Sequence, residues 1–251
     1  MEHLLTVWGR GVERVPTTAA DRQRLVDLYD GEIAYLDHQL GPLLDDLTQG
    51  VRGENTAVIL TADHGESLTE HDYLFDHGEF LYQPSVHVPF ILQLPERDGV
   101  PPRSDGALVQ VLDVAPTFLA LAGITPSSEL DGHDLGPLAR REAERVRDTA
   151  FAESCRPWGV EKGFEGVYRN LYKAQLVLDG EHSLIATPFR RRLELYGLDE
   201  DPGELENLAA ARPEVADRLL DQLERWREGE IELGRPDPAN MKRIEALGYV
   251  E

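Results

Sequence analysis

Residues 56–67 read Thr56-Ala57-Val58-Ile59-Leu60-Thr61-Ala62-Asp63-His64-Gly65-Glu66-Ser67. The first half is an unbroken apolar and β-branched run, too short for a helix. It predicts a strand buried on both faces, as in a parallel sheet covered by helices. The run ends on an acid and an imidazole at a turn that Gly65 permits. Ligands of open α/β sheets bind outside the carboxyl ends of the strands, so Asp63 and His64 stand where a site would be. A carboxylate beside an imidazole can hold one divalent cation. The same two residues can equally cap the next segment and fill a polar pocket, and residue type alone leaves both readings open.

Upstream, residues 21–48 carry Leu25, Leu28, Tyr29, Ile33, Leu36, Leu40, Leu43, Leu44 and Leu47 at three- and four-residue steps. That spacing predicts a long amphipathic helix, with Asp21 as its N-cap and a kink or break at Gly41-Pro42. The first 15 residues read as a loop without the basic segment of an export signal. Downstream, residues 88–94 read as a second strand, with Pro89 at its start or edge. Residues 108–121 read as a helix stopped by Gly123 and kinked or restarted at Pro116. Helix and strand in alternation predict an α/β layered domain over residues 1–147, with helices on both faces of its sheet.

The pattern changes after Arg147. Residues 149–153, 166–178 and 193–198 read as shorter strands. Residues 213–228 read as a helix with Pro213 in its first turn and Val215, Leu219, Leu223 and Trp226 along one face. Residues 148–251 are expected to form a small α+β subdomain with a polar tail.

Composition narrows the function. A net charge of −22 over 251 residues repels phosphate backbones and anionic lipid, which argues against nucleic-acid or membrane-surface binding. The single cysteine, Cys155, excludes an intrachain disulfide framework and a cysteine-based zinc site. No apolar run approaches membrane-spanning length. Four of the eight histidines (His64, His71, His77 and His87) fall within 24 residues, and clustering on that scale favours a site for a metal or an anion. His77 follows a loop that can fold back over the strand end, which makes it the candidate for touching substrate. His71 and His87 are read as structural.

Taken in order, Thr61-Ala62-Asp63-His64-Gly65-Glu66, Phe75-Asp76-His77-Gly78 with Leu81-Tyr82, and Val88-Pro89-Phe90-Ile91 resemble the sulfatase family of the alkaline phosphatase superfamily. The segment Tyr29-Asp30-Gly31-Glu32-Ile33 is similar to the family helix before that strand. Leu112-Asp113-Val114-Ala115-Pro116-Thr117, Leu121-Ala122-Gly123-Ile124 and Asp131-Gly132 continue the likeness. Glu194-Leu195-Tyr196-Gly197-Leu198, Asp201-Pro202-Gly203-Glu204 and Glu206-Asn207-Leu208 resemble the family's C-terminal subdomain. The implied fold is a partial alkaline-phosphatase-like layered sheet with helices on both faces, plus the small subdomain.

The resemblance also implies roles. Asp63 matches a metal-ligand aspartate. His64 sits where many sulfatases have Asn and where phosphonate monoester hydrolases have His. His77 falls near a place often held by a lysine that contacts sulfate oxygens, and is the expected catalytic and substrate-binding residue. The implied cofactor is a divalent metal ion. Calcium prefers oxygen ligands, so the imidazole leaves Mn, Mg or Zn open beside Ca.

Family members carry a formylglycine-forming C/S-x-P-x-R motif and two further ligand aspartates well before the Asp-His pair. This sequence has no such motif: Cys155-Arg156-Pro157-Trp158-Gly159 has glycine where arginine is required, and follows the pair. The expectation is therefore the C-terminal part of a sulfatase-like hydrolase of small-molecule sulfate or phosphate esters. Alone, it should bind metal weakly and turn over slowly or not at all. Self-association, or pairing with a complementing amino-terminal half, is expected where a truncated sheet exposes an edge. A phosphonate or phosphodiester hydrolase, and a non-catalytic remnant, are the alternatives.

Overall fold

The computed structural model describes residues 2–7, 12–72, 77–78, 80–125, 130–154, 173–187 and 191–233. The Cys155 segment and the polar tail lie outside these residues, as do Phe75 and Asp76. The class is α/β, built from small sheets and helices.

Where a loop is expected, the chain opens with an antiparallel hairpin, β1 (Glu2–Val7) paired with β2 (Val12–Thr17). Helix α1 (Ala19–Thr48) follows and runs unbroken through Gly41 and Pro42. Its N-cap is Thr18 rather than Asp21. The Thr18 hydroxyl accepts from Asp21 N–H at 3.1 Å, and the Asp21 carboxylate accepts from Thr18 N–H at 2.8 Å. That reciprocal box places Asp21 at the third helical position. No residue of α1 is buried, and Leu28, Ile33, Tyr35, Leu36 and Leu43 are more than half exposed.

A short turn of helix, α2 (Gly50–Gly53), leads into β3 (Val58–Thr61). Among the described residues the expected parallel pairing is not found. β3 pairs antiparallel with β4 (Phe90–Gln93), Thr61 opposite Phe90, and its residues are half-buried. An apolar run reports burial but not the direction of its neighbour, and β3 has one strand partner among the described residues. Between the two strands lies α3 (Gln83–Val86).

The segment expected as one helix splits. A 3₁₀ turn over Val111–Asp113 precedes α4 (Val114–Leu121), which puts Pro116 in a first turn, where a missing N–H costs nothing. Asp113 is fully buried here. Arg147 donates to both its oxygens, at 2.5 and 2.6 Å, and the N–H groups of Gln110 and His133 add bonds of 2.8 Å each. Thr117 extends this hub by donating to the Asp113 carbonyl at 2.6 Å and accepting from Leu135 N–H at 3.0 Å. A Cβ on Gly132 would lie 2.0 Å from the Leu112 carbonyl oxygen, so only glycine lets that loop close on the turn. α5 (Gly136–Ala139) follows.

The C-terminal strands form one antiparallel sheet in the order β5 (Ala150–Glu153), β6 (Gln175–Leu178), β7 (His182–Thr187) and β8 (Arg192–Gly197). Alternation sends Val177, Leu184, Ala186 and Leu195 to one face, against Ala216, Leu219 and Leu223 of α6 (Pro213–Leu233). The Phe151 and Trp226 rings stack at 5.2 Å at the margin of that core. Leu176, Ile185 and Tyr196 go to the other face, where Leu81 and Tyr82 cover them. Each such aliphatic side chain removed from water contributes about 1.5–3 kcal/mol. No helix among the described residues is long and apolar enough to cross a membrane.

Glu204 sits in this second interface, 1% exposed and at φ 53°, a left-handed conformation that costs a non-glycine residue energy. Its carboxylate accepts from Gln83 N–H at 2.7 Å. Burial pushes the carboxyl pKa up, helped by the charges of Asp201 and Glu194, and the Gln83 N–H and Ser183 hydroxyl only partly offset this. A carboxyl raised in the folded state adds stability when protonated, and loses that contribution as pH rises from its unfolded pKa through its folded one. Glu204→Gln keeps an acceptor for Gln83 and cannot ionise. Its melting temperature should therefore match the parent's near about pH 4 and exceed it at about pH 8. Parallel thermal melts across that range check this; parallel curves would refute it.

Candidate active site

The end of β3 turns sharply at Asp63, and the turn is held from one side by α3. Gly65 N–H donates to the Ser85 carbonyl at 2.8 Å. A Cβ on Gly65 would lie 2.1 Å from the Pro84 carbonyl oxygen, so the loop seats on α3 only because residue 65 has no side chain. The following turn is closed by Glu70, whose carboxylate accepts from the N–H groups of Leu68 and Thr69 at 2.8 and 2.9 Å. Burial alone would raise the Glu70 carboxyl; those backbone donors and Ser67 outweigh it and hold it below its ordinary range.

The structure brings the three candidate residues together. The His64 and His77 rings stack with centroids 3.9 Å apart and 16° between planes. His64 Nε2 lies 3.7 Å from Asp63 Oδ2, and the other Asp63 oxygen accepts from His64 N–H at 3.0 Å. His64 Nδ1 lies 2.9 Å from the Gly65 carbonyl oxygen. A carbonyl only accepts, so Nδ1 carries the proton and a neutral ring keeps its lone pair on Nε2. That lone pair and the Asp63 carboxylate are both electron-rich, at a spacing that a shared cation or an added ring proton would bridge.

As metal ligands the two fit in type and spacing, since bonds of about 2.0–2.2 Å to nitrogen and oxygen span such a gap. They fall short in number. No group of three or more His, Cys, Asp or Glu side chains is placed to hold a metal ion among the described residues. The Asp63 side chain is 82% exposed. The pair could supply at most two donors to a metal ion.

The other clustered histidines separate from this group. His71 adopts φ 54° and stacks on Tyr82 with centroids 3.6 Å apart. Burial lowers its pKa against the raising effects of a Gly203 backbone bond and the Glu194 charge. His87 ends α3, its N–H donating to the Gln83 carbonyl at 2.8 Å. A cleft of about 260 Å³ lined by Asn55, Arg97, Asp98 and Arg140 contains none of Asp63, His64 or His77. Its arginines are engaged, Arg140 with Asp98 at 3.2 Å and Arg97 with Asn55 at 2.5 Å.

Not anticipated from the sequence is a buried polar knot behind the site. Glu194 Oε1 accepts from Tyr82 at 3.0 Å, Tyr196 at 2.6 Å and Arg192 at 2.7 Å. Burial, with the Glu194 carboxylate beside them, raises both phenol pKa values well above the ordinary tyrosine range. A signal was available, because residues 194 and 196 must share one face of a strand.

Comparison with known proteins bears on this geometry. Residues 10–124 match the family model described as Sulfatase, and residues 69–229 match N-sulphoglucosamine sulphohydrolase, C-terminal. The chain is 31% identical over 198 residues to arylsulfatase K of Rattus norvegicus, covering 78% of this chain and 34% of that protein. It is 26% identical over 207 residues to an endo-4-O-sulfatase of Bacteroides thetaiotaomicron, covering 79% of this chain and 40% of that one. Among solved structures, the phosphonate monoester hydrolase of Agrobacterium radiobacter superposes with a TM-score of 0.68 at 29% identity, over 86% of this chain and 42% of that one. The chain spans about a third of the length of the first curated relatives it matches.

Proposed function

The chain belongs to the sulfatase family of the alkaline phosphatase superfamily, and from that premise we propose that Asp63, His64 and His77 are its contribution to a metal-assisted site hydrolysing sulfuric esters. The observation that carries this reading is the convergence of the three on the end of β3, His64 stacked on His77 at 3.9 Å. Arylsulfatase K and the endo-4-O-sulfatase are named for sulfate-ester hydrolysis, which supports a sulfate ester as the substrate class.

A sulfate monoester is an anion, and this protein carries a net charge of −22. Attraction must therefore come from local donors. An imidazole at position 77 can donate to an ester oxygen or hand a proton to the departing one. Asp63 and His64 would hold a divalent ion, which supplies positive charge to the developing oxyanion when bound. Asp63 would be its oxygen donor, and the Gly65 carbonyl favours the His64 tautomer that would offer Nε2. The nucleophile is not assigned, because the sequence contains no C/S-x-P-x-R motif.

One feature favours a second reading within the superfamily. On the resemblance, His64 corresponds to a histidine of phosphonate monoester hydrolases, and one of these enzymes is among the structural neighbours. In-frame sequence upstream of the Met1 codon separates the two. A C/S-x-P-x-R motif after paired aspartates supports the sulfatase reading, a bare Thr or Ser in the nucleophile's place supports a phospho- or phosphonoester, and a stop codon with no motif overturns both.

With two protein donors and the rest of the coordination shell left to water, the purified chain should bind Mn²⁺ weakly. Paramagnetic broadening in NMR spectra should centre on residues 61–66 and vanish in an Asp63→Asn/His64→Ala double variant. Broadening that ignores those residues would remove the metal assignment.

A further inference from the structure

We propose that Glu194, on β8, is a positioning residue for the Asp63, His64 and His77 cluster, acting through Tyr82. The inference rests on the reading of that cluster as the reacting end of the molecule. Asp63 and His64 owe their place to Gly65, which is held on α3 by the Ser85 carbonyl and by close approach to Pro84. α3 in turn starts from Tyr82, whose carbonyl accepts from Ser85 N–H at 2.9 Å and Val86 N–H at 3.3 Å. The Tyr82 hydroxyl reaches across the interface to Glu194 Oε1 at 3.0 Å, and the next residue, Gln83, is held through its N–H by Glu204 at 2.7 Å. Two acids of the C-terminal portion thus grip consecutive residues at the foot of the element that seats the site.

The composition of this knot is costly if packing were its purpose. Glu194 is 2% exposed, beside the apolar part of the interface made by Leu81, Leu176, Ile185 and aromatic rings. An apolar side chain of similar volume would pack there without the penalty of burying a carboxylate. What the carboxylate adds is direction. Three donors converge on one oxygen, so the Tyr82 hydroxyl has one place to go, and the ring is clamped between that bond and the His71 stack at 3.6 Å. Rigid support of this kind is what holds functional groups to a fraction of an ångström.

The test compares the full chain with its Tyr82→Phe and Glu194→Gln variants. The readout is the imidazole resonances of His64 and His77 in long-range proton–nitrogen spectra. Tyr82→Phe keeps the ring, its packing and its stack on His71, so it should fold. It is expected to move both imidazole signals by more than a linewidth while the amide signals of β6 and β7 stay in place, and Glu194→Gln should move the same signals in the same sense. A lowered melting temperature with unmoved imidazole signals in Tyr82→Phe would overturn the proposal and leave the knot a packing feature. Failure of Mn²⁺ to broaden residues 61–66 of the parent chain would sink the metal-site reading without touching this result.

Discussion

Arg147→Ala is expected to cost about 3–5 kcal/mol of folding stability, the range found when one partner of a buried ion pair is removed. Asp113 is fully buried and Arg147 is 7% exposed. The carboxylate would be left with two backbone donors, from Gln110 and His133, and no countercharge. Urea titration should show the midpoint falling with little change in slope. Arg147→Lys should lie between parent and Ala, because an ammonium restores charge but not the two-pronged geometry. The pH dependence provides an independent check. Burial alone would raise the Asp113 carboxyl, but the Arg147 guanidinium and the His133 and Gln110 N–H groups hold it below the ordinary aspartate range. A depressed carboxyl contributes stability above its unfolded pKa and loses it as pH falls through its folded one. The gap between parent and Arg147→Ala should therefore narrow in acid. A loss under about 1 kcal/mol at neutral pH, the scale of a surface pair, would show that the hub is not a buried ion pair in solution.

That hub explains why part of the sequence was legible without its reason being so. Leu112-Asp113-Val114-Ala115-Pro116-Thr117 and Asp131-Gly132 were recognisable in order, yet no periodicity shows that Asp113 reaches His133 and Arg147. Bonds over 20 and 34 residues belong to tertiary structure. Elements with strong local chemistry were readable: α1 from its leucine spacing, α6 from Pro213 and its apolar stripe, and β3 from its β-branched run. Partner and direction were not, because an apolar run looks the same in parallel and antiparallel sheets. β7 carries a local signal as well, the Asp179-Gly180 turn that joins it to β6, with Gly180 at φ 92°. The sequence places Asp63 and His64 at the end of the β3 run and singles out His77 nearby. That His77 stacks on His64 is a contact across 13 residues, which only the fold shows.

Gly65→Ala tests whether that strand end is set by contact with α3. The added methyl would sit 2.1 Å from the Pro84 carbonyl oxygen and 3.1 Å from its carbon, both backbone atoms that cannot swing aside. Overpacking of this kind costs about 1–3 kcal/mol, and relief must come from moving either the 63–65 turn or α3. Either movement lengthens the 2.8 Å bond from Gly65 N–H to Ser85 and shifts Asp63 and His64 relative to His77. The expected outcome is loss of magnetisation transfer between the two imidazoles and a weaker Mn²⁺ effect on residues 61–66, together with a lower melting temperature. Gly31→Ala is the matched control. It lies in α1, its Cβ meets nothing within 4 Å, and the same chemical change there should stabilise by up to about 1 kcal/mol. Opposite signs from one substitution at two glycines would separate steric necessity from chain entropy. If Gly65→Ala instead proves as harmless as Gly31→Ala, the seat on α3 does not position the site, and the path from Glu194 through Tyr82 to His64 loses its last step.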